Sequence, residues 1–411
     1  MIRTKVVYIA LIAWSILTMF TSFIGMGYAI GSSTGGYVAL LLKYIIVLII
    51  LLGLLRNKVG LTRGKLSKSI FIWAVYAFTI SSIFMVGEWQ KVYVELLWWV
   101  FLYFFFSEVA YRDRNNAEMT QFIYKYLPVL FIGNLVIYLL GWFSTNLLIG
   151  FASVSLNHYY YVGLLMPFLF LIEKRGLKYT LFILGFAAAL ISYKRSAIIF
   201  VFVLLVLLVY NDFIKSTSRR NVASLKSNSR MKGVVTGFWG ILIFVGIIFY
   251  SYNKVNSLTG GYISQRFEQA EEDGGSGRTI IYESAIKQYM SLPISNMMVG
   301  IGFDGVRNHF NINEGIDEEH NASAHNDFLE MLCDFGLIGL SLYSVVIINL
   351  IRMTKRSKRI SKTLYEANVA GLVVFFIMSM VSHLFLYGTY FGYLAILWGL
   401  SNGKQRRLGI A

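Results

Sequence analysis

Apolar residues in this chain gather in long blocks, and polar and basic residues are largely confined to the connections between them. A helix crosses the hydrocarbon layer of a bilayer with roughly 20 apolar residues. Blocks of that order recur along the sequence at 6–30, 37–55, 70–86, 92–110, 122–141, 156–172, 179–192, 197–211, 234–252, 328–350, 366–384 and 386–402. The pattern predicts an all-α polytopic membrane protein of about twelve transmembrane helices. The seventh and eighth blocks are short and almost contiguous, so a single bent or re-entrant element is an alternative there. The first block lacks a small-residue cleavage signature and is expected to be a retained span. On this reading 1–252 carries nine spans, 253–327 forms an outward-facing loop domain with short helices, 328–402 carries three spans and 403–411 is a cytoplasmic tail.

Composition narrows the picture further. With 57% hydrophobic residues and a mean hydropathy of +0.62, 411 residues hold more apolar side chain than a soluble core could hide. A net charge of +16 invites a nucleic-acid reading. However, most of the 37 Lys and Arg lie in alternate short connections and at the two ends, where such charge sets orientation. Both termini are therefore expected in the cytoplasm, and no nucleic-acid partner is expected. Arg219, Arg220, Arg230, Arg356 and Arg359 are assigned to orientation and anionic headgroups. The single cysteine, Cys333, excludes an internal disulfide and is read as an inert buried thiol.

The connection from about Asn253 to His325 breaks the pattern. It is long, rich in acids, and carries Arg266, Arg278, Arg307 and three of the five histidines, His309, His320 and His325. Thr279 to Ser291 has a helical apolar rhythm, and Gly300, Gly302 and Gly305 then interrupt it. A second exception is Ser192-Tyr193-Lys194-Arg195-Ser196, which places two cations on the outer side, against the prevailing distribution. An arginine lodged between membrane helices is a functional-site hypothesis by default, with interfacial snorkelling as the alternative.

Taken in order, these pieces resemble the O-antigen polymerase and O-antigen ligase superfamily over about residues 180–345. They are Lys194-Arg195-Ser196 at a helix end, Arg266, Gly277-Arg278 leading into a helix, Pro293 with Gly300-Ile301-Gly302, and His325-Asn326 followed by Gly336 and Gly339-Leu340. Lys-Arg-Ser stands here where Ser-Arg-Gly is commoner in the family. The resemblance implies a metal-independent membrane glycosyltransferase of the broad GT-C type, with no cofactor, at the outer (periplasmic) face of a bacterial cytoplasmic membrane. Its donor and acceptor would be oligosaccharides linked to undecaprenyl diphosphate. A polymerase joins the growing glycan to a new lipid-linked repeat unit, whereas a ligase delivers it to lipid A core. A chain-length regulator and a flippase are the implied partner proteins, and Arg195, Arg278 and His325 match the family's functional positions.

The chemistry is consistent from below. A lipid diphosphate is a good leaving group whose developing charge needs stabilising, and guanidinium offers a permanently charged planar fork to phosphate oxygens. The acceptor hydroxyl needs a base, and a histidine near its reference pKa of about 6.5 suits it. Arg195, Arg278 and His325 are thus the candidate catalytic residues. Arg266, Lys194, Asp327 and Glu330 are the candidate substrate-binding residues; Asp327 or Glu330 is expected either to orient the His325 ring or to complement a helix N-terminus. A metal site built from Glu271-Glu272-Asp273 or Asp317-Glu318-Glu319-His320 is disfavoured, because consecutive carboxylates do not converge on an ion. Tyr159, Tyr160 and Tyr161 are read as lipid-belt residues, with sugar stacking as the alternative. Two other classes compete. A flippase predicts charge inside the spans and small loops on both faces, and a solute transporter predicts paired interrupted helices.

Overall fold

A computed structural model describes residues 63–84, 96–113, 117–149, 159–192, 194–214, 278–310, 323–382, 384 and 388–411, with isolated positions elsewhere. The first, second and ninth apolar blocks, Arg266, Tyr193, His158, His320, His383 and both acidic clusters lie outside the described residues. Among the described residues every regular element is helical. In chain order they are α1 (Lys65–Phe84), α2 (Trp98–Arg112), α3 (Ala117–Ile149), α4 (Tyr159–Gly163), α5 (Met166–Leu169), α6 (Arg175–Ile191) and α7 (Arg195–Val209), which runs into a π-turn at Tyr210–Ile214. There follow α8 (Arg278–Met290), α9 (Ile294–Val299), α10 (Gly305–His309), α11 (Asp327–Ser357), α12 (Lys362–Val381) and α13 (Gly388–Arg407). Four of these segments, α1, α7 with the start of its π-turn, α11 and α12, are long and apolar enough to cross a membrane.

Helices fall on the apolar blocks with three informative differences. The sixth block is two short helices, because Pro167 cannot donate to the carbonyl of Gly163 and the turn is interrupted there. The seventh and eighth blocks form separate helices, α6 and α7, broken at Ser192 to Lys194. The tenth block is bent: Gly336, at φ 66° and ψ −173°, divides α11 into an arm of nine residues and a long shaft. Within the outer segment, α8 lies one residue from the stretch marked by its apolar rhythm.

Aromatic side chains knit α1, α2, α11, α12 and α13 into one core. Trp73 packs against Trp99 (5.7 Å between ring centroids) and edge-on to Phe335 (5.9 Å). Phe391 meets Trp99 edge-on at 5.0 Å, and Phe375 meets Trp398 at 5.7 Å. Such pairs each add about 1 kcal/mol beyond the area they bury. Between α13 and α2 the backbones nearly touch. A Cβ on Gly399 would lie 2.5 Å from the Tyr103 carbonyl oxygen, and one on Gly403 would lie 2.2 Å from that of Ser107. Small residues four apart permit this approach, as in other membrane helix pairs.

At the α13 C-terminal end of the bundle the core is polar. Asn402 donates to the hydroxyls of Ser67 and Ser107 (both 3.0 Å), and Asn368 donates to Ser357 and Ser401. Glu108, almost fully buried, lies between Arg112 (2.5 Å) and Arg406 (3.2 Å). Lys178 and Asp212 form a second buried pair at 2.6 Å. Each charge has a partner, which is the condition under which ionised groups are tolerated away from water.

Candidate functional site

The opposite end carries the described residues among those singled out from sequence, and its frame is built around Asp334. The Asp334 carbonyl accepts from the backbone N–H of Ile301 (3.1 Å) and Gly302 (2.8 Å). Its carboxylate accepts from those of Asp304 (2.9 Å) and Val306 (3.2 Å), at the entrance to α10. Gly300 (φ 93°) and Gly336 (φ 66°) cross back to back: a Cβ on the first would lie 2.2 Å from the Asp334 carbonyl oxygen, and on the second 2.3 Å from that of Met298. Only glycine fits either place. From α1, the Tyr76 hydroxyl donates to the carbonyls of Val299 (3.0 Å) and Phe335 (3.1 Å), and the Ser81 hydroxyl accepts from the Phe303 N–H. The glycine motif is thus a fastening that fixes α9 and α10 to the bent α11.

His325 sits at the tip of the α11 arm with φ 50°, a backbone region that costs a non-glycine residue ~1–3 kcal/mol and is frequent at functional sites. Four bonds hold it there. The Ala324 N–H donates to the Glu330 carboxylate (2.6 Å), the Asn326 side chain caps the helix by accepting from the N–H of Phe328 and Leu329, and the His325 carbonyl accepts from the Tyr282 hydroxyl (3.4 Å). Asp327 accepts from Ser379 of α12 at 2.6 Å. The expected helix N-terminus is therefore present, with Asn326 as its cap. Glu330 acts on the turn that carries His325, and Asp327 ties α11 to α12.

Arg278 opens α8, and Tyr282, one turn later, also donates to the Met380 carbonyl of α12 (3.0 Å). Arg278 lies within electrostatic reach of Tyr160 of α4. The Tyr160 hydroxyl hydrogen-bonds with Ser196 (3.1 Å) in the first turn of α7. Lys194 places its ammonium 5.0 Å above the Tyr160 ring. Lys194, the Arg195–Ser196 turn, Arg278 and the His325 turn are therefore gathered at one end by Tyr160 and Tyr282.

These contacts revise the reading of the tyrosine run. Tyr159, Tyr160 and Tyr161 are all buried, and Tyr159 donates to the Gly185 carbonyl, so they face protein and not a lipid belt. Sequence reasoning also missed Asp334, although an acid inside an apolar helix is itself a signal. Tyr282 carried none. Asp304, Asp327, Glu330 and Asp334 feel one another electrostatically, yet among the described residues no group of acids, His or Cys is arranged to hold a metal ion. Cys333 is buried, as expected for an inert thiol.

Residues 180–344 match the O-antigen ligase family model. The match is consistent with the O-antigen polymerase and ligase superfamily. The O-antigen ligase-like region runs from α6 into α11 and contains Lys194, Arg195, Arg266, Arg278, Asp304, His325 and Asp334. Tyr160, which packs under Lys194, lies outside it. No curated protein matches the chain.

Proposed function

We propose that this chain is a membrane glycosyltransferase of the GT-C type with about twelve spans. It would polymerise surface polysaccharide, in the manner of lipopolysaccharide O-antigen, at the outer face of a bacterial cytoplasmic membrane. The observation that supports the proposal is the packing of Lys194 and the Arg195–Ser196 turn against Tyr160, with Arg278 within electrostatic reach and His325 tied to the start of α8 through Tyr282. In the reaction, the anomeric carbon–oxygen bond to undecaprenyl diphosphate breaks and a bond to the acceptor hydroxyl of a new lipid-linked repeat unit forms. Arg195 and Arg278 take up the negative charge that accumulates on the departing diphosphate, with Lys194 and Arg266 as further contacts. His325 accepts the proton of the attacking hydroxyl. Preorganised cations of this kind contribute several kcal/mol because they need no reorganisation as charge develops.

A second reading, transfer of the glycan to lipid A core, is favoured by the description of the matching family as O-antigen ligase. Reconstitution with a defined lipid-linked repeat unit, with and without lipid A core, separates the two. Long glycan formed from the repeat unit alone is the expected result. Product that appears only when core is added would replace the polymerase reading with the ligase one.

A further inference from the structure

We infer that the corner between α8 and α9, from Met290 to Met298, is a membrane-inserted tip that sits among the lipid acyl chains of the leaflet next to the site. No charged residue occurs between Lys287 and Asp304, although charges are frequent elsewhere in the outer segment. Met290, Ile294 and Met298 are 65%, 80% and 41% exposed, and none of the six residues of α9 is buried. Large apolar side chains left uncovered together mark an interaction surface. Ile294 and Met298, one helical turn apart, share a face of α9. Tyr289 closes the corner by donating from its hydroxyl to the Met297 carbonyl (2.7 Å), so this face is held in place.

What covers the tip follows from where it is fastened. A Cβ on Gly336 would lie 2.3 Å from the Met298 carbonyl oxygen, so α9 runs against the bend of α11. Immediately past that bend, Leu337, Ser341, Val345 and Ile348 form an exposed stripe down one face of the shaft. On a helix long and apolar enough to cross a membrane, such a stripe faces acyl chains. The exposed face of α9 continues it beyond the bend. Charge returns on both flanks, at Lys287 and Asp304, as in elements that lie at the boundary with apolar side chains in the leaflet and polar ones in the headgroup layer. The tip thereby holds α8, which opens at Arg278, at a fixed depth. Only the spanning character of α11 is needed for this, not the reaction proposed above.

The test is spin labelling of the full-length protein in nanodiscs of phosphatidylethanolamine and phosphatidylglycerol. Power saturation is read with oxygen, which concentrates in the acyl layer, and with a water-soluble nickel chelate. Cys333 is buried, so Ile294→Cys and Met298→Cys each give one accessible thiol. Val345→Cys is the acyl-layer reference, and Glu283→Cys and Asn308→Cys, at exposed polar positions of the outer segment, are the aqueous ones. The oxygen-to-nickel ratio at 294 and 298 is expected to exceed that at 283 and 308 by about threefold or more and to approach that at 345, as for side chains about 5–10 Å inside the headgroup boundary. A ratio equal to the aqueous references would overturn the inserted tip. Low access to both reagents would overturn it in favour of a protein contact, with a second copy of this chain or another protein. Should a labelled variant fail to fold, p-benzoylphenylalanine in place of Ile294 reads the same surroundings by photocross-linking, with lipid adducts expected and protein adducts contradicting the proposal. No glycan substrate is present in either experiment, so failure here and failure of the transfer reading are separate results.

Discussion

Arg278 and His325 are far apart in sequence, and Tyr282 links them: it follows Arg278 by one helical turn and donates to the carbonyl of His325. Loss of either proposed catalytic side chain should therefore impair transfer without disturbing this frame. Arg195→Ala, Arg278→Ala and His325→Ala are each expected to lower turnover by on the order of 10²–10³, the usual cost of removing one preorganised group. Reconstituted elongation assays on protein of wild-type thermal stability check this; full activity in Arg278→Ala would dismiss the phosphate clamp. Asp334 makes a contrasting prediction. Asp334→Ala strips the acceptor from two backbone N–H groups and should cost ~2–5 kcal/mol of stability, read as a lower unfolding temperature in detergent. At this scale the candidate residues carried different signals: Lys194 and Arg195 stand out as cations between apolar blocks, whereas Arg278 and His325 lie in the polar outer segment and were singled out by the family resemblance. Tyr160 was not, since a tyrosine among tyrosines has the same pattern whether it faces lipid or a cation.

Elements were legible where hydrophobic length alone decides. Helix α12 and the rhythm of α8 follow directly from their sequences. Helix α11 shows the limit: its apolar block reads as one span, yet Gly336 bends it because the Gly300 turn must pass within contact of its backbone. Periodicity along one segment holds no information about what crosses it. Gly336→Ala would put a side chain into a glycine-only backbone region and 2.3 Å from the Met298 carbonyl oxygen. A loss on the order of 3 kcal/mol is expected. The same change should displace the arm that carries His325, so activity should fall even in the fraction that remains folded. Fluorescence-detected size exclusion and an activity assay on the monodisperse peak measure the two effects separately.

For the whole molecule, one end is a polar seam and the other a charged site, joined by the aromatic core around Trp73 and Phe375. The seam sets stability. Glu108→Gln leaves Arg406 buried without its carboxylate partner and is expected to cost ~3 kcal/mol while the donor affinity of folded protein stays unchanged. The site, built from arginines and a histidine, should keep working in excess chelator; a strict divalent-ion requirement would contradict the proposed chemistry. Which end faces outward decides whether glycan transfer outside the cell is feasible at all. Because Cys333 is buried, Arg278→Cys gives a protein with a single accessible thiol. In intact cells of known orientation, a membrane-impermeant maleimide should label position 278 from outside. Labelling only after the cytoplasmic side is opened would contradict the account.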